Sequence, residues 1–355
     1  MNFISYGSAG KNVGSRTFML DTEYEYKMFE LLGKEFTFTV DVSQMPCGIN
    51  GALYFVEMDK GGNMGNGNNA GAKYGTGYCD AQCPHDIKFI DGKANSEGWA
   101  PSPSDPNAGK GKLGTCCAEM DIWEGNKISS AYTAHPCTID GQKSCSDPVT
   151  CGDNPTHRFD GVCDKDGCDF NPFRAGVKDF YGEGSQFKVD TSKPITVVTQ
   201  FLTDNAGDLT EIRRKFIQNG QVIEHPTSAI DTMDKQFDSI TDEMCDNVKG
   251  AFQDVKDFQK KGGLKKMGDS MKKGMVLVMS IWDDHEANML WLDSTYPIDK
   301  TTWGGPRGTC STDSGVPADV ENQYPNSHVK YSDIRVGDID STYGDLVTPK
   351  PDILQ

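Results

Sequence analysis

The sequence contains no run of 18 or more apolar residues, which removes a membrane-spanning helix from consideration. It is also short of positive charge: 35 Lys and Arg stand against 52 Asp and Glu, a formal charge of −17. That balance repels phosphate backbones and anionic membrane surfaces, so neither nucleic acid nor a membrane is expected as a partner. Gly-Lys-Ser/Thr never occurs, and the glycines of "KGGNMGNGNNAGAKYGTGY" and "APSPSDPNAGKGKLG" read as loops rather than a phosphate cradle. C-x-x-C and His-x-x-x-His spacings are missing too, so the cysteines have no zinc pattern. The Asn-x-Ser/Thr match at Asn154 is blocked by Pro155. The opening "MNFISYGSAG" lacks the charged start and apolar run of a signal peptide. No repeat, low-complexity tract or Ser/Thr/Pro-rich linker is visible, and residues 1–355 are expected to form one domain.

What is abundant is cysteine. There are 12, an even count, with close pairs at Cys79 and Cys83, Cys116 and Cys117, Cys145 and Cys151, and Cys163 and Cys168. An adjacent Cys-Cys pair suits a disulfide framework formed in an oxidising compartment.

Strand patterns dominate. In 36–43 ("FTFTVDVS"), Phe36, Phe38, Val40 and Val42 alternate with polar residues, the period of a half-buried strand whose apolar face is core. Segments 52–58, 195–203 and 274–282 read as further strands, the last apolar on both sides and hence central. Asn219-Gly220 lies between two strand-like runs, a strong hairpin signal. The best helical stretch is 242–263, with Val248, Phe252, Val255 and Phe258 at helical spacing and Gly262-Gly263 as its stop. Many strands, long decorated loops and little helix predict an all-β sandwich of two antiparallel sheets.

Residues 116–126, "CCAEMDIWEGN", hold three carboxylates. On a regular strand Glu119 and Asp121 share a face while Glu124 points the other way; on a helix Glu119 and Glu124 diverge. Only a β-bulge between Asp121 and Glu124 brings all three together. Clustered carboxylates near aromatics suit glycoside hydrolysis, with one group as nucleophile or base and another as acid. Calcium binding and plain solvation are the alternatives, and spacing alone leaves all three open.

The strings "CCAEMDIWEGN", "AHPC" (134–137), "GYCDAQCPHDIKFIDGKAN" (77–95) and "MVLVMSIWDDHEANMLWLDSTYP" (275–297) closely resemble glycoside hydrolase family 7, the fungal-type cellobiohydrolases and endoglucanases. The likeness runs from residue 1 to about residue 340. It implies a concanavalin-like β-jelly-roll sandwich with a groove or tunnel, a monomer without cofactor or metal, and retaining cleavage of cellulose chains and β-1,4-glucan oligosaccharides. It implies Glu119 as nucleophile, Glu124 as acid/base, Asp121 as the residue tuning the nucleophile and His135 as an active-site histidine. The two glutamate carboxyls should then lie about 5 to 5.5 Å apart.

By the same resemblance Trp282 and Trp291 are sugar platforms either side of the cleavage point, although a tryptophan in an apolar strand taken alone reads as core. Tyr54, Asp80 and Gln82 resemble groove residues on the substrate side; Arg158, Asp166, Asp169, Arg174 and Arg307 resemble the product side. Without the family these would be read as loop charges. The implied disulfides are Cys47–Cys310, Cys79–Cys117, Cys83–Cys116, Cys137–Cys163, Cys145–Cys151 and Cys168–Cys245, in a secreted protein.

The family's usual N-terminal strands are not in this chain, which implies an incomplete gene model or fragment, with a truncated paralogue of impaired activity as the second reading; strand edges would then be exposed. Long loops at 99–115, 146–162 and 294–308 resemble those that roof the tunnel of cellobiohydrolases. The facing tyrosines that often close that roof are replaced near Asn154 and Glu286, which implies a roof that opens more easily. "PKPDILQ", the last seven residues, carries no cellulose-binding module. An endoglucanase, a β-1,3(4)-glucanase sharing the E-x-D-x-x-E spacing, and a lectin without catalysis are the competing classes.

Overall fold

Alternation of apolar and polar side chains drives most of the chain into strands. The computed structural model describes residues 1–8, 10–65, 67–103 and 108–348, and its two large sheets have seven and five strands. In chain order these are β1 (Ser15–Phe18), β2 (Met28–Phe29), β3 (Lys34–Asp41), β4 (Asn50–Val56), β5 (Glu119–Gly125), β6 (Ser130–His135), β7 (Cys168–Phe170), β8 (Ile195–Thr203), β9 (Leu209–Gln218), β10 (Gln221–Glu224), β11 (Met275–Trp282) and β12 (Lys330–Asp338). The first sheet runs β7-β6-β5-β4-β11, and β11 then pairs with both β1 and β2. The second runs β10-β9-β8-β3-β12. Pairing is antiparallel throughout both.

The sheets bury their facing rows against one another. Phe36 and Phe38 of β3 meet Phe55 of β4 and Trp123 of β5, with ring centroids 5.0 Å apart for Phe36–Phe55 and 6.4 Å for Phe38–Trp123, both edge-on. All four side chains are fully buried, each worth about 1.5–3 kcal/mol of transfer free energy. The alternate residues Ala52, Tyr54, Val56, Val276 and Val278 pack in a separate cluster on the other face with Tyr78 and the cystine residues Cys79 and Cys117. β4 and β11 are therefore apolar on both sides, as suits interior strands.

Two expectations need correction. β3 is covered on its polar face as well: Glu35 and Thr37 are fully buried. Glu35 accepts hydrogen bonds from the backbone of Asp340 (2.8 Å) and from both backbone and hydroxyl of Thr342 (2.7 Å each), so the turn after β12 folds back over it. The helix expected over 242–263 is also broken. α1 (Asp242–Phe252) ends at Gln253, whose φ of 58° is left-handed, and α2 (Asp257–Lys260) and α3 (Gly263–Met271) follow. Asp254, in the break, is drawn into ion pairs with Arg174 (2.5 Å) and Lys300 (2.9 Å), so tertiary contacts win over helical period. Gly262 and Gly263, with φ of 99° and 58°, open the next helix instead of closing the last.

The hairpin at Asn219-Gly220 is there, with φ of 54° and 72° at its two turn residues, between β9 and β10. Six disulfides join Cys47 to Cys310, Cys79 to Cys117, Cys83 to Cys116, Cys137 to Cys163, Cys145 to Cys151 and Cys168 to Cys245. Among the described residues no helix is long and apolar enough to cross a membrane. The segment 349–355 lies outside the described residues, as do residues 104–107 of the 99–115 loop.

Candidate active site

The site is built on β5. Asp121 pairs with Thr133 of β6, but the next partners in register are Glu124 and Ala131, so Ile122 and Trp123 together oppose Tyr132. On the β4 side the register also shifts, between Asp121 and Trp123. The bulge expected from the spacing is present. Ile122 and Trp123, consecutive in sequence, both point into the core, while Glu119, Asp121 and Glu124 lie opposite Val56, Tyr54 and Ala52, which share the outer face. Parity has been switched within one strand.

The outer face carries the remaining groups in register. Asp169 pairs with Thr133, Thr133 with Asp121, and Asp121 with Tyr54, so one row runs across four strands. Trp282 pairs with Asn50 at the end of β11, on the same face, and is half-buried rather than core. Its ring stacks at 6.1 Å and 29° on Trp291, whose indole N–H donates to Asp284 Oδ2 at 2.9 Å.

Each carboxylate has a different set of partners. Glu119 is 7 % exposed and its Oε2 accepts the Ala81 backbone N–H at 3.0 Å. Burial, then the charges of Asp121 and Asp80, push its pKa well above the ordinary carboxyl range. Glu124, less deeply buried, accepts the Asn50 side-chain amide at 2.9 Å, and burial followed by the Asp121 charge likewise raises it well above that range. Asn50 also accepts the Gly125 backbone N–H at 3.0 Å, so one amide grips both the side chain and the strand beyond the bulge. Asp121 Oδ2 lies 3.0 Å from His135 Nε2. His135 Nδ1 faces the Asp164 carbonyl at 2.8 Å, which requires that nitrogen to carry a proton. Burial pulls His135 down, but the hydrogen bond and charge of Asp121 outweigh it and raise it to about 9.

Tyr54, Tyr78 and Asp80 form a hydroxyl–hydroxyl–carboxylate chain, with separations of 2.8 Å and 2.7 Å, and the Arg16 guanidinium lies 3.7 Å from the Tyr78 ring centre. Asp80 also accepts the Gln82 backbone N–H at 2.8 Å, and the Gln82 side chain reaches the Lys165 carbonyl at 2.7 Å. The 79–83 turn is tied to residues 116 and 117, directly ahead of β5, by two disulfides.

Beyond Asp121 the row ends in ion pairs. Arg174, 3 % exposed, contacts Asp169 and Asp254 at 2.5 Å each and lies over the Phe252 ring at 4.4 Å. Arg158 meets Asp166 at 2.6 Å. The Arg307 carbonyl accepts from Ser129 (2.7 Å) and Asn171 (3.1 Å), and its buried Nε has no partner among the described residues. Burial would raise Asp169, but Arg174 and Arg307 hold it below its ordinary value; Arg158 does the same for Asp166.

Of the loops, 99–115 contacts the turn after β11: Lys110 pairs with Glu286 at 2.8 Å and Ser102 Oγ lies 3.4 Å from His285 Nδ1. Asn154 lies in the left-handed region at φ 58°, in a short helical stretch. Glu119, Asp121 and His135 each offer a ligand atom within 4.8 Å of the others. Calcium prefers six to eight oxygens; here imidazole faces Asp121, and N–H donors from Ala81 and Asn50 occupy Glu119 and Glu124.

The sequence reading missed Asn50, Tyr78, Asp164, Asp254 and the Ala81 N–H. Asn50 shares parity with Ala52 and Tyr54, a signal that was available. A backbone donor such as Ala81 N–H leaves none.

The chain matches the family model described as glycosyl hydrolase family 7 over residues 1–343. It is 54 % identical over 343 residues to exoglucanase GH7B of Limnoria quadripunctata, covering 96 % of this chain and 76 % of that protein. A GH7 family cellobiohydrolase from Daphnia pulex superimposes with a TM-score of 0.93 at 53 % identity, over 96 % of this chain and 78 % of that one. The Humicola insolens endocellulase EGI gives 0.80 at 39 % identity, over 96 % and 76 %.

Proposed function

The chain belongs to glycosyl hydrolase family 7, and on that premise we propose that it hydrolyses β-1,4-glucosidic bonds of cellulose with retention, releasing cellobiose from chain ends. The observation that carries the chemistry is the bulge, which puts Glu119, Asp121 and Glu124 on one face of one strand.

In this reading Glu124 keeps a proton and gives it to the leaving glycosidic oxygen while Glu119 attacks the anomeric carbon; Glu124 then takes a proton from the water that releases the sugar. Burial beside a like charge supports the proton on Glu124 at a pH where a solvated carboxyl has lost it. Glu124 is the less buried of the pair, as suits a group that must meet both a leaving oxygen and a water. The Ala81 N–H favours the anionic form of Glu119. His135, held by the Asp164 carbonyl, offsets the Asp121 charge and orients that carboxyl between the two. Trp282, paired with the Asn50 that donates to Glu124, and Trp291, stacked on Trp282, offer flat faces to sugar rings. The arginine–aspartate group supplies the polar contacts for the hydroxyls of a cellobiose product. Disulfides on this scale belong with secretion.

Greater likeness to the cellobiohydrolase than to the endocellulase favours exo action. One observation favours some internal attack: Lys110–Glu286, the ion pair that joins the 99–115 loop to the turn after β11 beside the Ser102–His285 contact, is exposed and worth little in stability. Digestion of cellulose with analysis of soluble sugars decides between them. Mostly cellobiose supports the proposal, mixed oligomers support endo action, and no release points to a glucan-binding protein without turnover.

A further inference from the structure

A β-bulge frees backbone groups that the ladder would otherwise satisfy, and this one lies over the core of the sandwich. Ile122 is skipped in the register of β5 with both neighbours. Its carbonyl accepts a hydrogen bond from the guanidinium of Arg214, which reaches across the sandwich from β9. Arg214 is 3 % exposed, whereas its neighbour Arg213 points outward and pairs with Glu211. In place of a carboxylate, the Arg214 Nε donates to Thr199 Oγ1 at 3.1 Å on the paired strand β8. The guanidinium also lies 4.3 Å from the ring centre of Tyr132, the residue that the bulge opposes, and 5.9 Å from that of Phe216. One side chain therefore grips both sides of the bulge, the freed carbonyl on β5 and the single opposing residue on β6.

An arginine buried with no acid paired to it among the described residues is costly to keep. Burial pushes its pKa down to about 10, and the nearby His225, driven to about 3 by burial and by Arg214, stays neutral. A hydrophobic residue would fill the space without that penalty but could not reach the carbonyl.

We propose that Arg214 is a positioning residue for the glycosidase reaction: by fixing the Ile122 carbonyl it sets the bulge, and with it the placement of the Glu124 carboxyl relative to Glu119. This rests on the reading of those two glutamates as the reacting pair. Arg214 touches no substrate; it acts through the backbone between Asp121 and Trp123.

The test is Arg214→Met, which keeps length and apolar bulk while removing every donor, beside Arg214→Lys and Thr199→Val. Expected for R214M is a native circular dichroism spectrum, a kcat on cello-oligosaccharides at least tenfold lower, KM within about twofold, and a displaced alkaline limb of the pH–kcat profile. Arg214→Lys should recover part of the kcat, having an ammonium of similar reach without the guanidinium's fork. R214M that folds with kcat and pH profile within twofold of the native enzyme overturns the proposal. If R214M does not fold, Thr199→Val decides: a two- to fivefold lower kcat with the same limb displaced supports it, and an unchanged profile overturns it. Glu124→Gln is measured alongside. Full turnover there defeats the assignment of the acid itself, whereas an inactive E124Q beside an unaltered R214M defeats only the role of Arg214.

Discussion

Two groups of carboxylates stand on the same face of the same sheet and behave in opposite ways. Glu119 and Glu124 on β5 have their pKa values raised, whereas Asp169, on the same outer face of β7, has its value lowered. Burial does not separate them, since the Glu119 residue is 7 % exposed and the Asp169 side chain 13 %. What differs is company. Asp169 shares its pocket with the guanidinium of Arg174 and the charge of Arg307, while the glutamates share theirs with Asp121 and hydrogen-bond donors of lower charge. A carboxylate beside a cation is a fixed anion suited to holding a ligand's hydroxyls; a carboxylate beside another holds a proton more tightly, which in the proposed mechanism serves Glu124, while the Ala81 N–H favours the anion on Glu119.

The largest effect should come from removing the proposed nucleophile outright. Glu119→Gln is expected to lower cellulose hydrolysis by about 10³-fold or more, with oligosaccharide binding by calorimetry retained; retained turnover would remove Glu119 from the nucleophile's role. Next, removing the cation should make the second group resemble the first. Arg174→Met leaves Asp169 and Asp254 without their buried partner, and a loss of about 3 kcal/mol in denaturant unfolding is expected. Unchanged stability would mean that the ion pairs merely offset their desolvation. The smallest effect reverses the usual direction. Because the folded pKa of Glu124 lies above its ordinary value, the group's contribution to stability is present at low pH and is lost as pH rises past that ordinary value. Glu124→Gln should therefore be more stable than the native protein at pH 7, by about 1 kcal/mol, with the difference gone near pH 4. Melting curves at the two pH values check this, and equal stability at both would place the Glu124 proton elsewhere.

The strands and the bulge were legible because parity is a local property of sequence. Phe36, Phe38 and Val40 announce a core face, and the odd interval between Asp121 and Glu124 can be reconciled with one face only by an inserted residue. The break at Gln253 was not legible, since Asp254 leaves the helix for an arginine 80 residues away. The half-buried strand read over 36–43 gave no sign that its polar side is covered, because the turn at 340–342 that closes over Glu35 begins 305 residues away. Asn50 and Arg214 act on β5 from 74 and 92 residues away respectively, and nothing near the carboxylates in sequence reports either one. Family likeness supplied roles for the glutamates that spacing had left open among catalysis, calcium and solvent.

The two disulfides ahead of β5 have a geometric consequence. Cys79 is bonded to Cys117 and Cys83 to Cys116, so residues 79–83 with 116 and 117 close into a small covalent macrocycle. Ala81, whose N–H meets Glu119, sits on that ring, and Glu119 is two residues along the chain from it. Heating or chain tension can therefore loosen the sheet around Glu119 well before it separates that carboxylate from its hydrogen-bond donor, because the distance is spanned by bonds rather than by packing.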